Sequence, residues 1–394
     1  MIPVEDALEI VLREAPALPS EDVALEDALG RVLAEDVRSD TDMPPFDRAA
    51  MDGYAVRAED VASAPVALEV TGEVPAGTWP EQDVGPGQAV RIMTGAPVPA
   101  GADAVQQVEK TRPADEFRVT ILEAVPAGAN IAPRASEVRA GDRILEKGRP
   151  IDPATVGALA AVGQDPVRVA RRPVVSLLVT GDEIDGVGET PGPGQIRNSN
   201  GPAVAAQARQ AGAEVRLLGV AGDDLDSLGR ALEAGRNADV LLVSGGVSAG
   251  DFDLVEPALE ALGFSFRFTK VAVKPGAPLV FGTRGSTLVF GLPGNPVSAQ
   301  VTFDLFVRAA LLRMQGARVV SRPRVEVEIL GPLKNRSGRR AHLPARVRFE
   351  SGRLVARPVR SMGSGDLAAH ARANALVVLA AGRTAAEAGE TAEA

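Results

Sequence analysis

The chain has 394 residues, with 42 Lys or Arg against 52 Asp or Glu and a formal net charge of −10; this length holds about two to four domains, and the acidic balance speaks against a protein that coats nucleic acid. There is no cysteine, and the only histidines are His342 and His370, which excludes disulfides, iron–sulfur clusters, thiolate zinc and a cysteine nucleophile, and leaves no residues for a His-based triad. Chemistry falls to carboxylates, lysines, hydroxyls and backbone amides, a set suited to oxyanions and to hard cations such as Mg²⁺.

The N-terminus is amphipathic and acidic without a signal-peptide pattern, and no apolar run is long enough to span a bilayer, so the expectation is a soluble, cytoplasmic protein. Val4, Leu8, Val11 and Leu12 at helical spacing after Pro3 predict a helix, and Ala28, Leu29, Val32 and Leu33 predict a second over 26–37. From Tyr54 the texture changes to short β-like pieces at 66–70, 89–93, 104–108 and 117–121, cut by Gly and Pro. Helical spacing returns at 153–162. The expectation is a discontinuous helical domain (1–45 and 142–171) into which a β module (46–141) is inserted.

From Arg172 strands and helices alternate: strands at 174–179, 214–221, 240–243, 266–273 and 287–290, helices at 199–211, 225–233, 254–262 and 296–314. Near-continuous apolar strands between helices predict a doubly wound, mainly parallel sheet over 172–317, with ligands beyond the strand C-terminal ends. Residues 318–394 read as a C-terminal β-barrel domain whose Ala/Gly/Glu/Thr-rich tail, 381–394, is expected to fray. The stretch 318–360 is strongly basic, with twelve Lys or Arg against three Asp or Glu.

Several loops carry chemistry. In the β module, Asp52 precedes Gly53 in a segment of small residues, and Thr94 ends a strand; taken singly, either would serve a turn. At the strand ends of the α/β region stand Thr180-Gly181-Asp182-Glu183, Gln195-Ile196-Arg197-Asn198-Ser199-Asn200, Asp223-Asp224 and the run from Ser244-Gly245-Gly246-Val247-Ser248 to Asp253, with Lys270 and Lys274 after them. Glycines let amides line an oxyanion, and carboxylates facing a phosphate imply a divalent cation between them. The run 289–303 then joins a strand, the turn Pro293-Gly294-Asn295-Pro296 and the first turn of a helix bearing Ser298, whose unpaired N–H groups form an anion seat.

In this order, the segments Pro45-Phe46-Asp47 to Met51-Asp52-Gly53-Tyr54-Ala55-Val56, Ile92-Met93-Thr94-Gly95-Ala96-Pro97, Thr180-Gly181-Asp182-Glu183, Ser244-Gly245-Gly246-Val247-Ser248, Lys274-Pro275-Gly276 and Gly291-Leu292-Pro293-Gly294-Asn295-Pro296-Val297-Ser298 resemble the MoeA/gephyrin E-domain family, the molybdopterin molybdenumtransferases. The resemblance covers nearly the whole chain. It implies a MogA-like central domain and a homodimer with clefts shared between subunits. It also implies insertion of molybdate into adenylylated molybdopterin with Mg²⁺-dependent release of AMP, and exchange with a molybdopterin adenylyltransferase and recipient molybdoenzymes. Carried over by motif, Asp52 and Thr94 would come from a second subunit, Glu183, Asp223 or Asp224 and Asp253 would handle metal and phosphate, and Lys270 and Lys274 would balance substrate charge. Thr180, Gly181, the Ser244–Ser248 loop, the Pro293–Ser298 turn, Arg340 and Ser364 would hold the pterin nucleotide and oxyanion.

The chain departs from the family at Ala277, where a second lysine is usual, at Gly338–Arg346, which lacks the usual acidic and aromatic positions, and at Arg134-Ala135-Ser136-Glu137. A MogA-type adenylyltransferase is the first rival, although such proteins carry Gly-Gly-Thr-Gly where this chain has Gly245-Gly246-Val247-Ser248. A gephyrin-like scaffold that binds a partner peptide is the second. RNA binding through the basic stretch lacks interleaved aromatics.

Overall fold

The computed structural model describes residues 1–246 and 254–394. The chain forms two compact units: Met1–Glu35, Lys147–Asp152 and Val167–Ala394 make one, Asp36–Glu146 and Pro153–Pro166 the other. Helix α1 (Val4–Glu14) begins the first unit and buries Val4, Ala7 and Val11. The helix expected over 26–37 does not form. A single 3₁₀ turn at Leu25–Asp27 is followed by Gly30 at φ +74°, a left-handed conformation that stops a helix, and Val32 and Leu33 make isolated β-bridges instead.

The second unit is built on a six-stranded sheet of β1 (Gly53–Val56), β2 (Val66–Val74), β3 (Gln88–Ile92), β4 (Ala104–Gln107), β5 (Thr111–Pro113) and β6 (Arg118–Ile121), in the order β4-β1-β3-β2-β6-β5. Gly53 stands where a Cβ would lie 1.8 Å from the Gln106 carbonyl oxygen, so only glycine lets β1 and β4 close beside Asp52. Helix α2 (Pro153–Ala161) belongs to this unit.

The first unit centres on a second six-stranded sheet. Strands β7 (Val174–Thr180), β8 (Glu214–Ala221) and β9 (Val240–Ser244) are joined through α3 (Asn200–Gln210) and α4 (Leu225–Gly235). After α5 (Val255–Ala261) come β10 (Ser265–Lys270), the short β11 (Val273–Lys274), β12 (Pro278–Arg284) and β13 (Thr287–Leu292). The order is β8-β7-β9-β13-β12-β10, with the first four strands parallel, β12 antiparallel to β13, and β10 antiparallel to β12 at the edge. Strand β12 has no counterpart among the expected strands, which pass from 266–273 directly to 287–290; it pairs with β13 as a hairpin across a turn at Gly285.

Alternate residues of each strand feed opposite faces. Leu177, Leu242, Phe281 and Phe290 pack under α1, α3 and the long C-terminal helix, while Leu178, Leu241, Val243 and Val289 pack under α4 and α5. Burial of each Leu or Phe stabilises by about 1.5–3 kcal/mol. The long helix runs as α6 (Pro296–Thr302), a π-helical turn (Phe303–Val307) and α7 (Arg308–Met314).

The C-terminal strands β14 (Glu326–Ile329), β15 (Arg340–Glu350), β16 (Arg353–Pro358), β17 (Ala375–Leu379) and β18 (Thr391–Glu393) close into a barrel, with α8 (Leu367–Arg372) between β16 and β17. The expectation of a frayed tail is overturned. Strand β18 pairs with β14 at Glu326–Glu393, Val327–Ala392 and Glu328–Thr391, and Ala386 is buried to 1% exposure. Small alanine side chains that look featureless in sequence are the size that fits inside a narrow barrel.

Candidate active site

A cavity of about 850 Å³ opens beyond the C-terminal ends of β7, β9 and β13. It gathers Thr180, Gly181, Glu183, Asp223, Ser244, Gly245, Gly246, Pro293, Gly294, Asn295, Pro296 and Ser298 from four loops distant in sequence. Asp253 and Ser248 lie outside the described residues. Among the described residues, its charged lining residues are Glu183, Asp223 and Arg197.

Glycines make the loops possible. A Cβ on Gly245, at φ +104°, would meet the Thr180 carbonyl oxygen at 2.4 Å, and one on Gly181, at φ +144°, would meet the Glu183 carboxylate at 2.5 Å. Thr180 is nearly buried, and its hydroxyl donates to Asp223 Oδ1 at 2.9 Å. Asp182 Oδ1 accepts the Asp223 N–H at 3.1 Å, so the ends of β7 and β8 are tied through acidic side chains. Asp224 turns away to cap α4, accepting the Ser227 N–H at 2.8 Å. Among the described residues, no three Asp, Glu or His side chains converge into a preformed metal cage.

Asn200, which the sequence places at the end of a polar loop without a role, holds the site together. Its Nδ2 donates to Ser244 Oγ at 2.9 Å and to the Gly294 carbonyl at 2.8 Å, and the residue is only 8% exposed. One amide therefore links the start of α3, the end of β9 and the turn before α6. The run Asn198-Ser199-Asn200 at a helix start was the available signal; its partners are far away in sequence and invisible there.

The anion seat is narrower than expected from sequence. The Val297 N–H, one of the amides at the start of α6, donates to the Ser364 carbonyl at 3.0 Å, so the C-terminal domain caps part of that helix end. Gly365 and Leu367, just after Ser364, join the cavity wall. Lys270, Lys274 and Arg340 do not line it. Lys270 ends β10 opposite Pro278, which does, and Lys274 pairs in register with Ala341 of the barrel. The Arg340 guanidinium instead pairs with Glu5 and lines a separate cavity beside the start of α1.

Asp52 and Thr94 belong to the β-module unit. Thr94 donates its N–H and its hydroxyl to Asp52 Oδ1, each at 2.7 Å, and these bonds hold the exposed Asp52 carboxyl below the usual carboxylate range.

Comparison with known proteins identifies the arrangement. Residues 2–163 match the model of the MoeA N-terminal region (domain I and II), 176–313 that of the "Probable molybdopterin binding domain", and 326–394 that of the MoeA C-terminal region (domain IV). The chain is 38% identical to the molybdopterin molybdenumtransferase of Bacillus subtilis over 398 residues, covering 99% of this chain and 93% of that one. The chain belongs to the molybdopterin molybdenumtransferase family.

It is an enzyme of molybdenum cofactor biosynthesis. A molybdopterin molybdenumtransferase from Nostoc is also 38% identical, over 97% of this chain and 90% of its own length. The molybdopterin biosynthesis MoeA protein of Pyrococcus horikoshii OT3 superposes with a TM-score of 0.86 at 32% identity, covering 100% of this chain and 99% of that structure. The match to MoeA N-terminal and C-terminal regions distinguishes the chain from a stand-alone MogA-type protein. No helix among the described residues is long and apolar enough to cross a membrane.

Proposed function

We propose that the strand-end cavity binds adenylylated molybdopterin and that this molybdopterin molybdenumtransferase inserts molybdate into its dithiolene with Mg²⁺-dependent release of AMP, as a cytoplasmic homodimer. The observation that carries the reading is one wall holding Glu183 and Asp223 together with the amide-rich Gly and Pro loops of an anion site. Carboxylates and a pyrophosphate tolerate each other only with a cation between them.

The donor set fits Mg²⁺. Glu183 and the Asp223 oxygens left by Thr180 offer one or two carboxylate contacts, and Mg²⁺ takes its remaining ligands from water and substrate phosphate rather than from an all-protein cage. When bound, the metal neutralises charge on the pyrophosphate as AMP leaves. Ser244 and Ser298 supply hydroxyls near the phosphates, and Asn200 fixes the Ser244 oxygen and turns the Gly294 carbonyl away from the anion. Lys270 and Lys274, from their positions beside the wall, add positive charge for molybdate. The roles of Asp253, Ser248, Arg340 and Ser364 in this proposal rest on the family resemblance.

Asp52 and Thr94 of a second copy complete the site. The reading is supported by the Asp52 carboxylate, which uses Oδ1 for Thr94 and keeps Oδ2 for another partner. Mixing an Asp52→Ala chain with a Glu183→Ala chain tests the shared cleft: random dimers restore about a quarter of wild-type AMP release, because half of them hold one intact cleft of two. Mixed dimers that form and stay inactive exclude the shared-site assignment. Retained Mg²⁺-dependent AMP release in Glu183→Gln with Asp223→Asn excludes the metal assignment.

A further inference from the structure

Strands β15 and β16 set Arg346 directly opposite Arg357 in their antiparallel register. Their neighbours Ala345 and Ala356 are fully buried in the barrel, so the two exposed arginines project from the same outer face. Like charges placed directly across a ladder destabilise it. The nearby acids of the barrel strands are committed elsewhere: Glu328 to Arg353, Glu350 to Arg348 and Glu393 to Arg324.

Arg357 also lines a groove of about 630 Å³ on the barrel, beside Lys334 and Arg360 and without an acidic residue among the described lining residues. The rest of the wall is largely apolar, Leu330, Leu333 and Val359 among it. Ser361 closes the groove. The chain then passes through Met362, 84% exposed, to Ser364, which caps α6, and Gly365, which walls the substrate cavity. The segment after the groove therefore runs directly to the substrate-cavity wall.

We propose that this groove docks an acidic polypeptide segment of another protein, one that alternates carboxylate and apolar side chains. Charge complementarity sets the sign, since a retained Arg–Arg pair and two further cations are offset by carboxylates. The wall chemistry sets the class. A small oxyanion needs converging N–H donors, but Pro332, Pro344 and Pro358 have none, and the Leu330 and Val359 amides are spent on the Ala356 and Pro344 carbonyls. Single-stranded nucleic acid is held by stacking on aromatics, which this wall lacks among the described residues, and a duplex backbone would leave the apolar wall of Leu330, Leu333 and Val359 unused.

The test is fluorescence anisotropy of the full chain with a labelled dodecapeptide alternating Asp and Leu, and with its Lys/Leu counterpart. The acidic probe binds saturably and weakens as salt rises, Arg357→Glu lowers its affinity at least about tenfold, and the basic probe does not bind. Arg360→Glu, at the exposed groove edge, reports the same loss if Arg357→Glu fails to fold. Arg346→Gln raises the melting temperature by relieving the like-charge pair. Equal affinity in the charge-reversed variants overturns the proposal. So does displacement of the probe by equimolar inorganic phosphate, tighter binding of single-stranded DNA than of the peptide, or a change of oligomeric state in Arg357→Glu, which would assign the groove to a second copy of this chain.

Discussion

Thr94 gives both its backbone N–H and its hydroxyl to one oxygen of Asp52, at 2.7 Å each. Residues that sequence reading could treat separately, one as a turn cap and the other as a backbone partner, are a single hydrogen-bonded unit. The bonds favour the charged carboxylate and lower its pKa, with the Thr94 amide the largest cause and the hydroxyl next. Thr94→Val removes the hydroxyl bond, so the Asp52 pKa rises and Thr94→Ser restores it. Because the folded-state pKa is depressed, the ionised form persists above it and is lost as pH falls through it, so the acid limb of Asp52-dependent activity moves to higher pH in Thr94→Val. Carbon-13 NMR titration of the carboxyl measures the shift directly; an unmoved titration would remove Thr94 from its control.

Asn200 holds two acceptors from different loops with one buried amide. Asn200→Ala leaves the Ser244 hydroxyl oxygen and the Gly294 carbonyl without that donor and costs about 1–3 kcal/mol in urea unfolding. Asn200→Asp costs more, since a carboxylate then faces the Gly294 carbonyl. In both variants affinity for the adenylylated pterin falls, measured by equilibrium dialysis. A variant with the expected loss of stability and undiminished ligand affinity shows Asn200 to be a structural tie alone.

The strand ends, the glycine loops and the turn before α6 were legible in the sequence, because each depends on local residue chemistry and on apolar runs of strand length. What was not legible depends on partners remote in the chain. Ser364 is an ordinary serine until its carbonyl meets Val297, and Asp224 reads as a metal ligand until Ser227 takes it as a cap. Nor does the sequence show that Arg340 pairs with Glu5, 335 residues away. The helix expected across Gly30 failed because periodicity outweighed a breaker, and the tail over 381–394 read as frayed because alanine carries almost no pattern signal.

Ala277 lies between the Lys274 segment and Pro278 of the cavity wall, and its carbonyl accepts the Val271 N–H at 2.9 Å. A side-chain change there leaves that backbone bond in place. Ala277→Lys adds a cation beside the wall, and one charge-assisted contact to an oxyanion is worth about a tenfold to hundredfold gain in affinity. The molybdate concentration for half-maximal insertion falls accordingly, with pterin nucleotide affinity nearly unchanged. No improvement in a folded variant shows that position 277 does not face the oxyanion.

His342 sits in β15 opposite Val378, only 5% exposed, with Nε2 buried and without a hydrogen-bond partner. Burial is the main cause that pushes its pKa down to about 4, with Arg340 and Arg324 adding to the shift and Asp304 opposing it. In the unfolded chain the imidazole takes a proton near its ordinary 6.5. Between these values the unfolded state binds more protons than the folded one, so stability rises with pH and is lost as pH falls from about 6.5 toward 4. His370, lowered in the same direction by burial, adds to the trend. Linkage through His342 amounts to about 2 kcal/mol between pH 7.5 and pH 5. Urea unfolding of the wild type and of His342→Leu at both pH values isolates the term, because the carboxylate contributions are common to both proteins. The variant loses about 2 kcal/mol less than the wild type on acidification. Equal losses would mean that the buried imidazole is not kept neutral by the fold.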